Sequence, residues 1–401
     1  MRKLNNDFST IVNKSKTLSP ELKIIIDILN NNLTASSLPT KVEIINWDYL
    51  LKLIIRHRII GQTYTAFLAA PTLPIPSNFL AHLKQYSLRS NLASLSMVAE
   101  SIRIIRAFND ADITYSIVKG IPISALLYGG ATKRQAKDID ILVNLNDLNQ
   151  AIQILLSKGY KIERPNFNLT GFKRDYYFIN NHDIGFFHPE RKVEIELHFR
   201  LEYFGTKFFA NSATTYKTIL VQNQPLITLN DEYHVLYLMF HASIHAWTRL
   251  RWLHDIYLYL KSGECSIQKV YALAISLNAE KVVWQTLWLL SDIYKYRNDY
   301  GDQILDHHNP AGLRLARISR EFILNDYEFT AGHGVFNKMF FYYRIYLIYL
   351  ALPGQRLKAI FNDLFKIDKI FPYVTMPRNC SWGYYLIYPL LVVKYFFTRK
   401  L

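Results

Sequence analysis

Apolar residues recur at three- and four-residue spacing from about residue 20 to residue 110, in PELKIIIDILNNN, VEIINWDYLLKLIIRHRIIGQTYTAFLAA and SNFLAHLKQYSLRSNLASLSMVAESIRIIRAFNDA. This spacing predicts amphipathic helices, and PTLPIPS (71–77) reads as a proline-punctuated connector. The texture then changes. ITYSIVKG (113–120) is short, rich in β-branched residues and ends in glycine, so it predicts a strand. IPISALLYGG (121–130) predicts a helix, with Pro122 in its first turn and Gly129-Gly130 stopping it. KDIDILVN (137–144) predicts a second strand, and LNDLNQAIQILLSKGY (145–160) a helix with Asn or Asp available as its cap. DYYFIN, DIGFFHP and KVEIELHFRL (192–201) predict further strands. From NDEYHVLYLMFHASIHAWTRLRWLHDIYLYLKSG onward the spacing is helical again. The expectation is an α+β chain. A small mixed β-sheet core over 111–230 is flanked by helical regions over 1–110 and 231–401.

Composition adds a charge. The chain has 401 residues and a net charge of +15, from 47 Lys and Arg against 32 Asp and Glu. That balance favours polyanionic partners such as nucleotides, nucleic acid or an acidic membrane surface. The charge is spread along the chain, so it does not single out nucleic acid. Cys265 and Cys380 form no disulfide framework or metal-type pair. MRKLNNDFSTIVNKSKTLSP has no apolar h-region, and a cytoplasmic location is expected. MFFYYRIYLIYLALP (339–353) and YYLIYPLLVVKYFF (384–397) are apolar but are interrupted by Arg344, Pro389 and Lys394. They fall short of the roughly 20 apolar residues of a membrane helix. They predict buried helices, with peripheral membrane contact through this aromatic region as the other expectation.

Two carboxylates sit inside the second predicted strand. Side chains alternate along a strand, so Asp138 and Asp140 share one face while Ile139, Ile141 and Val143 point to the other. Like charges on one face repel and resist burial. Mg²⁺, which takes hard oxygen ligands and often one or two carboxylates, would offset them. VEIELHFRL repeats the arrangement, with Glu194, Glu196 and His198 on one face. A third carboxylate from that strand would complete a site for one or two ions. Upstream, Lys119 and Gly120 lie at a strand-to-helix turn, where the backbone can approach a ligand and free N–H groups can meet phosphate. Arg134 stands four residues before Asp138 and could reach a phosphate.

The order strand, glycine, helix, Asp-hydrophobic-Asp strand and later acidic strand resembles the DNA polymerase β-like nucleotidyltransferase superfamily. The string VKG…LLYGG…R…DIDILV…GY…VEIELHFRL…H.W.RLRWLHD resembles more closely its bacterial uncharacterised nucleotidyltransferase family. INWDYLLKLIIRHRI and IFPYVTMPRN extend the likeness over most of the chain. The resemblance implies that two Mg²⁺ ions held by Asp138, Asp140 and a third acid bind an NTP, and that an acceptor attacks the α-phosphorus in line. It picks Glu196 as that acid, with Glu194 on the same face as the fallback. One departure stands out. The superfamily's Gly-Gly or Gly-Ser is Lys119-Gly120-Ile121 here, leaving Ser124 or Lys119 to replace the missing hydroxyl.

Helical spacing places His234, His241, His245, Thr248, Trp252 and Asp255 near one stripe. Against the open side of the sheet, His241 and His245 would contact nucleotide or acceptor, with Trp252 beneath and Arg249 or Arg251 near phosphate. No Glu completes a zinc His-Glu-x-x-His motif, and core histidines are the plain alternative. His198 and, more distantly, His188 could line the site. Trp47, Arg56 and His57 read as packing and a solvated face. P-loop, dinucleotide fingerprint, nucleophile elbow and kinase signatures are missing from the chain. The function expected is Mg²⁺-dependent transfer of an NMP from an NTP to an acceptor hydroxyl. The acceptor could be a small molecule, peptide, protein or RNA. The competing expectation is a catalytically silent core used to dock on a membrane or partner.

Overall fold

The computed structural model describes residues 18–37, 45–203, 206–207, 216–307, 309–325, 338–351, 353–357, 360–361 and 365–398. Four helices lead in: α1 (Pro20–Leu29), α2 (Trp47–His57), α3 (Ile60–Ala69) and the long α4 (Ser77–Asn109). Side-chain caps start the first two. Ser19 Oγ accepts from the Leu22 amide at 3.2 Å and Asn46 Oδ1 from the Tyr49 amide at 2.9 Å. The core follows as β1 (Tyr115–Ile117), α5 (Ile121–Leu127), β2 (Asp138–Val143), α6 (Leu148–Ser157), β3 (Lys161–Arg164), α7 (Gly171–Asn180), β4 (Asp183–His188) and β5 (Val193–His198). Its five strands form one mixed sheet in the order β1-β2-β5-β4-β3, with β2 and β5 parallel and the other neighbours antiparallel. The short pair β6 (Glu202–Tyr203) and β7 (Thr206–Lys207) and the hairpin β8 (Tyr216–Val221) and β9 (Gln224–Leu229) complete it. The α+β architecture expected from the sequence is the one found.

The alternation in the strands decides how the sheet is covered. Ile139, Ile141, Val143, Val193, Ile195 and Leu197 are buried in a cluster with Ile104, Ile105 and Phe108 of α4 and Leu148, Ala151 and Leu155 of α6. Each such side chain contributes about 1.5–3 kcal/mol when fully buried. The acidic positions face the other way, into a cavity also lined by α8 (Asp231–Ile244) and α9 (Leu250–Ser262). The chain continues as α10 (Ile267–Ser276), α11 (Glu280–Tyr294), α12 (Asp299–Asp306), α13 (Pro310–Leu324), α14 (Lys338–Leu350) and α15 (Gly383–Thr398). Leu142 and Val118 of the sheet side join a larger cluster, with Ile54 and Ile60 from the N-terminal helices, Leu238 from α8, Leu253 from α9 and Trp247 from the turn between them. Helices before and after the sheet therefore share one core, while Ile367, Ile370 and Phe371 form a separate cluster with Tyr384 and Tyr388 of α15.

Three local expectations are corrected. DYYFIN is not a strand but the end of α7. Phe172 and Tyr176, four residues apart, pack on Phe371 from the C-terminal region, while Tyr177 is buried and its hydroxyl donates to the Asp183 carbonyl at 2.9 Å. A tertiary partner far along the chain overrides local strand preference. The stretch around IIRHRII is two helices, because Arg58 takes a left-handed conformation at φ 54°. The histidine stripe is also two helices. Ala246 and Trp247 adopt φ of 48° and 57°, ending α8 before α9 begins. Strain of about 1–3 kcal/mol per such residue is opposed by full burial of Trp247, worth about 3–5 kcal/mol for a tryptophan.

The apolar C-terminal stretches form α14 and α15. Among the described residues no helix is long and apolar enough to cross a membrane. α15 buries Tyr384 and Tyr388 but leaves Leu386 and Leu390 exposed.

Several buried histidines tie these helices together. His57 Nδ1 accepts from the Leu250 amide at 3.1 Å, joining the end of α2 to the start of α9, and His234 Nδ1 meets the Tyr259 hydroxyl at 3.1 Å. Burial lowers His234 to about 3 and His254 to about 4, and burial with the neighbouring Arg56 and Arg249 lowers His57 well below its ordinary value. In the unfolded chain an imidazole titrates near about 6.5, so protons bind the unfolded chain preferentially. The stability these groups contribute is complete above about 6.5 and is lost progressively as pH falls through their folded values. Thermal scans should show the melting temperature dropping as pH is lowered from about 6.5 toward about 4; a flat profile there contradicts the burial of neutral imidazoles.

Candidate active site

The parallel register of β2 and β5 sets Asp138 opposite Glu194 and Asp140 opposite Glu196. Ligand atoms of Asp140, Glu196 and His198 all lie within 4.8 Å of one another. Asp138 lies outside that tight trio but on the same strand face, and it lines the same cavity of about 390 Å³. Asp140 is 2% exposed, while the Glu196 side chain is 27% exposed.

Donor groups converge on them. Lys119 Nζ lies 2.6 Å from Asp140 Oδ1, and His198 Nε2 lies 3.2 Å from the same oxygen. Arg164 reaches Glu196 Oε1 at 3.0 Å and also contacts Asp183. Burial, reinforced by Asp138, raises Asp140 above its ordinary value despite Lys119. Burial also opposes ionisation of Glu196, but Lys119, His198 and Arg164 outweigh it and hold that carboxyl at about 2. Glu194 is engaged by Lys137 at 2.7 Å, toward the surface. Convergent carboxylate oxygens, one of them buried and drawing a cation to within bonding distance, suit a hard divalent ion.

Arg164 was not singled out from the sequence. It sits on edge strand β3, and β4 lies between it and β5. Arg164 pairs with Gly185, which in turn pairs with Glu196. A Cβ built on Gly185 would stand 3.2 Å from Arg164 Cβ. The arginine thus crosses β4 where there is no side chain. Gly185→Val should crowd this row and lower stability by about 1–3 kcal/mol, read by urea unfolding; unchanged stability would show that the crossing tolerates a side chain.

The phosphate-turn residues are placed differently from one another. Gly120 has φ 63°, a conformation that favours glycine, and lines the cavity with Lys119. Ser124 does not face the ligand space. Its Oγ donates to the Gly130 carbonyl at 2.6 Å and accepts from the Arg134 amide at 2.9 Å, bracing the loop before β2. Arg134 borders the cavity but is 4% exposed, and both Nε and Nη2 are bound to Asp255, at 2.8 and 2.7 Å. Its guanidinium holds the loop to α9. Tyr128 adds a hydroxyl donated to Asp255 at 2.7 Å, and Arg251 donates to the Gln135 carbonyl.

His241, His245, Trp252 and Tyr343 line the same cavity as the acids. His245 and Trp252 stack at 5.2 Å, and His241 meets Trp252 edge-on at 5.5 Å. Desolvation, with Lys119 next, lowers His241 well below its usual value and favours its neutral ring; His245 is exposed to solvent at the cavity mouth. His188 does not line this space; it packs on Tyr160 at 5.0 Å, with Gly159 alongside. Arg56, Arg58, Lys137 and Tyr343 line the cavity without having been singled out as ligand contacts. Arg56 and Arg58 flank His57 at the end of α2, whose Leu50, Leu53 and Ile54 share a core with Val118 and Leu142 of the sheet side.

The cavity brings the acids of one strand pair together with cations and aromatic rings, a lining suited to a phosphate-bearing ligand. The match to known families agrees: the model of the uncharacterised nucleotidyltransferases covers residues 43–295. The chain belongs to that nucleotidyltransferase family. A search of curated proteins finds no match. Among solved structures, a lincomycin-bound lincosamide antibiotic adenylyltransferase, LnuA, is 19% identical with a TM-score of 0.27, over 34% of this chain and 83% of its own. ANT(2'')-Ia in complex with adenylyl-2''-tobramycin is 12% identical with a TM-score of 0.34, over 46% of this chain and 97% of its own. These scores are too low to transfer a substrate or a residue role.

Proposed function

We propose that this nucleotidyltransferase moves a nucleoside monophosphate from an NTP to an acceptor hydroxyl, with Mg²⁺ held by Asp138, Asp140 and Glu196. The observation that carries the reading is the register-paired Asp140 and Glu196 beside Lys119, opening on a basic cavity. A divalent ion bound there would supply charge stabilisation at the α-phosphorus and the leaving pyrophosphate. The acceptor oxygen forms the new P–O bond, the bond to the α,β-bridging oxygen breaks, and the hydroxyl proton passes to a carboxylate of the group. Lys119 and Gly120 contact the phosphates, His198 orients Asp140, and His241 and His245 present ring nitrogens to nucleotide or acceptor. Arg134 serves the phosphate site through the loop it fixes. A cytoplasmic setting would supply the NTP.

The test is label transfer. With Mg²⁺ and an extract offering small molecules, peptides, proteins and RNA, label from α-labelled ATP, GTP, CTP or UTP should move to an acceptor as pyrophosphate appears. Label moving from the γ position instead contradicts the reading. A second reading, a silent core that docks on a membrane, draws on the exposed Tyr373, Trp382, Leu386 and Leu390. Flotation with anionic vesicles and no NTP binding by the wild type would favour it.

A further inference from the structure

The cavity carries more positive charge than its acids require. Besides Lys119 it is lined by Arg56, Arg58, Arg134, Lys137, Arg249 and Arg251, against Asp138, Asp140 and Glu196. Several of these cations have partners. Arg134 is bound to Asp255, Lys137 to Glu194, Arg56 to the Phe322 carbonyl at 2.6 Å, and Arg251 donates through Nη1 to the Gln135 carbonyl. Among the described residues, neither Arg58 nor Arg251 is paired with a carboxylate. Arg251 is 5% exposed, and its Nε is buried without a hydrogen-bond partner. Such a donor is costly to leave unmet.

The fold brings these arginines together on purpose-shaped backbone. Arg58 sits at the left-handed cap that ends α2. The hydrogen bond from the Leu250 amide to His57 fixes that cap beside the residues that start α9. The two left-handed residues Ala246 and Trp247 turn the chain so that Arg249 and Arg251 reach the same space. Arg249 lies over the Trp252 ring at 5.4 Å, which keeps its charge at the cavity wall. The crowding is unfavourable as it stands: burial and then Arg249 lower Arg58 to about 10, and burial and then Arg134 lower Arg251 well below its ordinary value. An anion in their midst would reverse that cost.

We propose that Arg58, Arg249 and Arg251 form an oxyanion site that holds a phosphate-type group in the cavity the carboxylates also line. The site deepens the nucleotidyl-transfer reading, and rests on it only for the source of the anion. That source is either the outer phosphates of the NTP or an acidic group on the acceptor. Guanidinium is the side chain best matched to both, because its fork of donors fits two oxygens at once.

The probe is inorganic tripolyphosphate, titrated calorimetrically in metal-free buffer at two ionic strengths. Wild type should bind it. Arg58→Gln and Arg249→Gln should each weaken binding by about tenfold, the size of one charge-assisted hydrogen bond. Arg58→Lys should retain more affinity than Arg58→Gln, and circular dichroism should show all three variants folded. Asp140→Asn should bind at least as well as wild type, because it removes a negative charge. Absence of binding to wild type, or binding that both Gln variants leave unchanged, overturns the site; the latter is the mark of diffuse attraction to a basic surface. Competition between tripolyphosphate and NTP assigns the site to the triphosphate, and simultaneous binding assigns it to the acceptor's acid. Tripolyphosphate affinity that depends on Arg58 without any label transfer sinks the transfer reading alone. Label transfer without such affinity sinks the oxyanion site alone.

Discussion

Asp138→Asn combined with Asp140→Asn should abolish nucleotidyl transfer and leave the chain folded. Asn keeps the shape of Asp and an oxygen for Lys119, which lies 2.6 Å from Asp140 Oδ1. What is lost is the paired negative charge that makes the cavity a cation site. Losing several kcal/mol of transition-state stabilisation lowers the rate by about a thousandfold or more. Stability should change little, because burial already disfavours the charge on Asp140. Pyrophosphate release with matched circular dichroism spectra reads both parts. Transfer persisting within tenfold of wild type would place the chemistry elsewhere.

Asp255→Ala should produce the largest loss of stability. Asp255 is fully buried and accepts from Arg134 Nε, Arg134 Nη2 and the Tyr128 hydroxyl. Removing it strands a buried guanidinium, which costs about 3–5 kcal/mol. The same change frees the loop before β2, so activity should fall even at temperatures where the variant is folded. Replacing both partners, Asp255→Ala with Arg134→Met, should recover much of the stability, because no buried charge is then left alone. Urea unfolding of the two single variants and the double variant measures this coupling. Additive losses would mean that the pair does not act as a unit.

Sequence patterns showed those parts of the site that are local. The alternation of Asp138, Asp140 with Ile139, Ile141 and Val143 states both the strand and its two faces within six residues, and Val193 to His198 does so again. Gly120 and Lys119 could be placed at a turn because a strand, a glycine and a helix follow in order. Contacts that join distant segments left no such pattern. Arg134 read as a phosphate ligand because Asp255, its partner, lies 121 positions away. Arg58 carries no local signal, because its place at the cavity depends on His57 accepting from the Leu250 amide far along the chain. Arg164 meets Glu196 only through the gap at Gly185. The helical form of DYYFIN depends on Phe371, and the break after Ile244 depends on burying Trp247; neither cause lies within the window from which periodicity is read.

Manganese binding is the most direct measurement. Mn²⁺ added with a non-hydrolysable NTP analogue can be followed by its electron paramagnetic resonance in wild type, Asp140→Asn and Glu196→Gln. A carboxylate site shared between β2 and β5 should bind the ion in wild type and lose at least about tenfold in affinity in each variant. Equal Mn²⁺ affinity in all three proteins would contradict it.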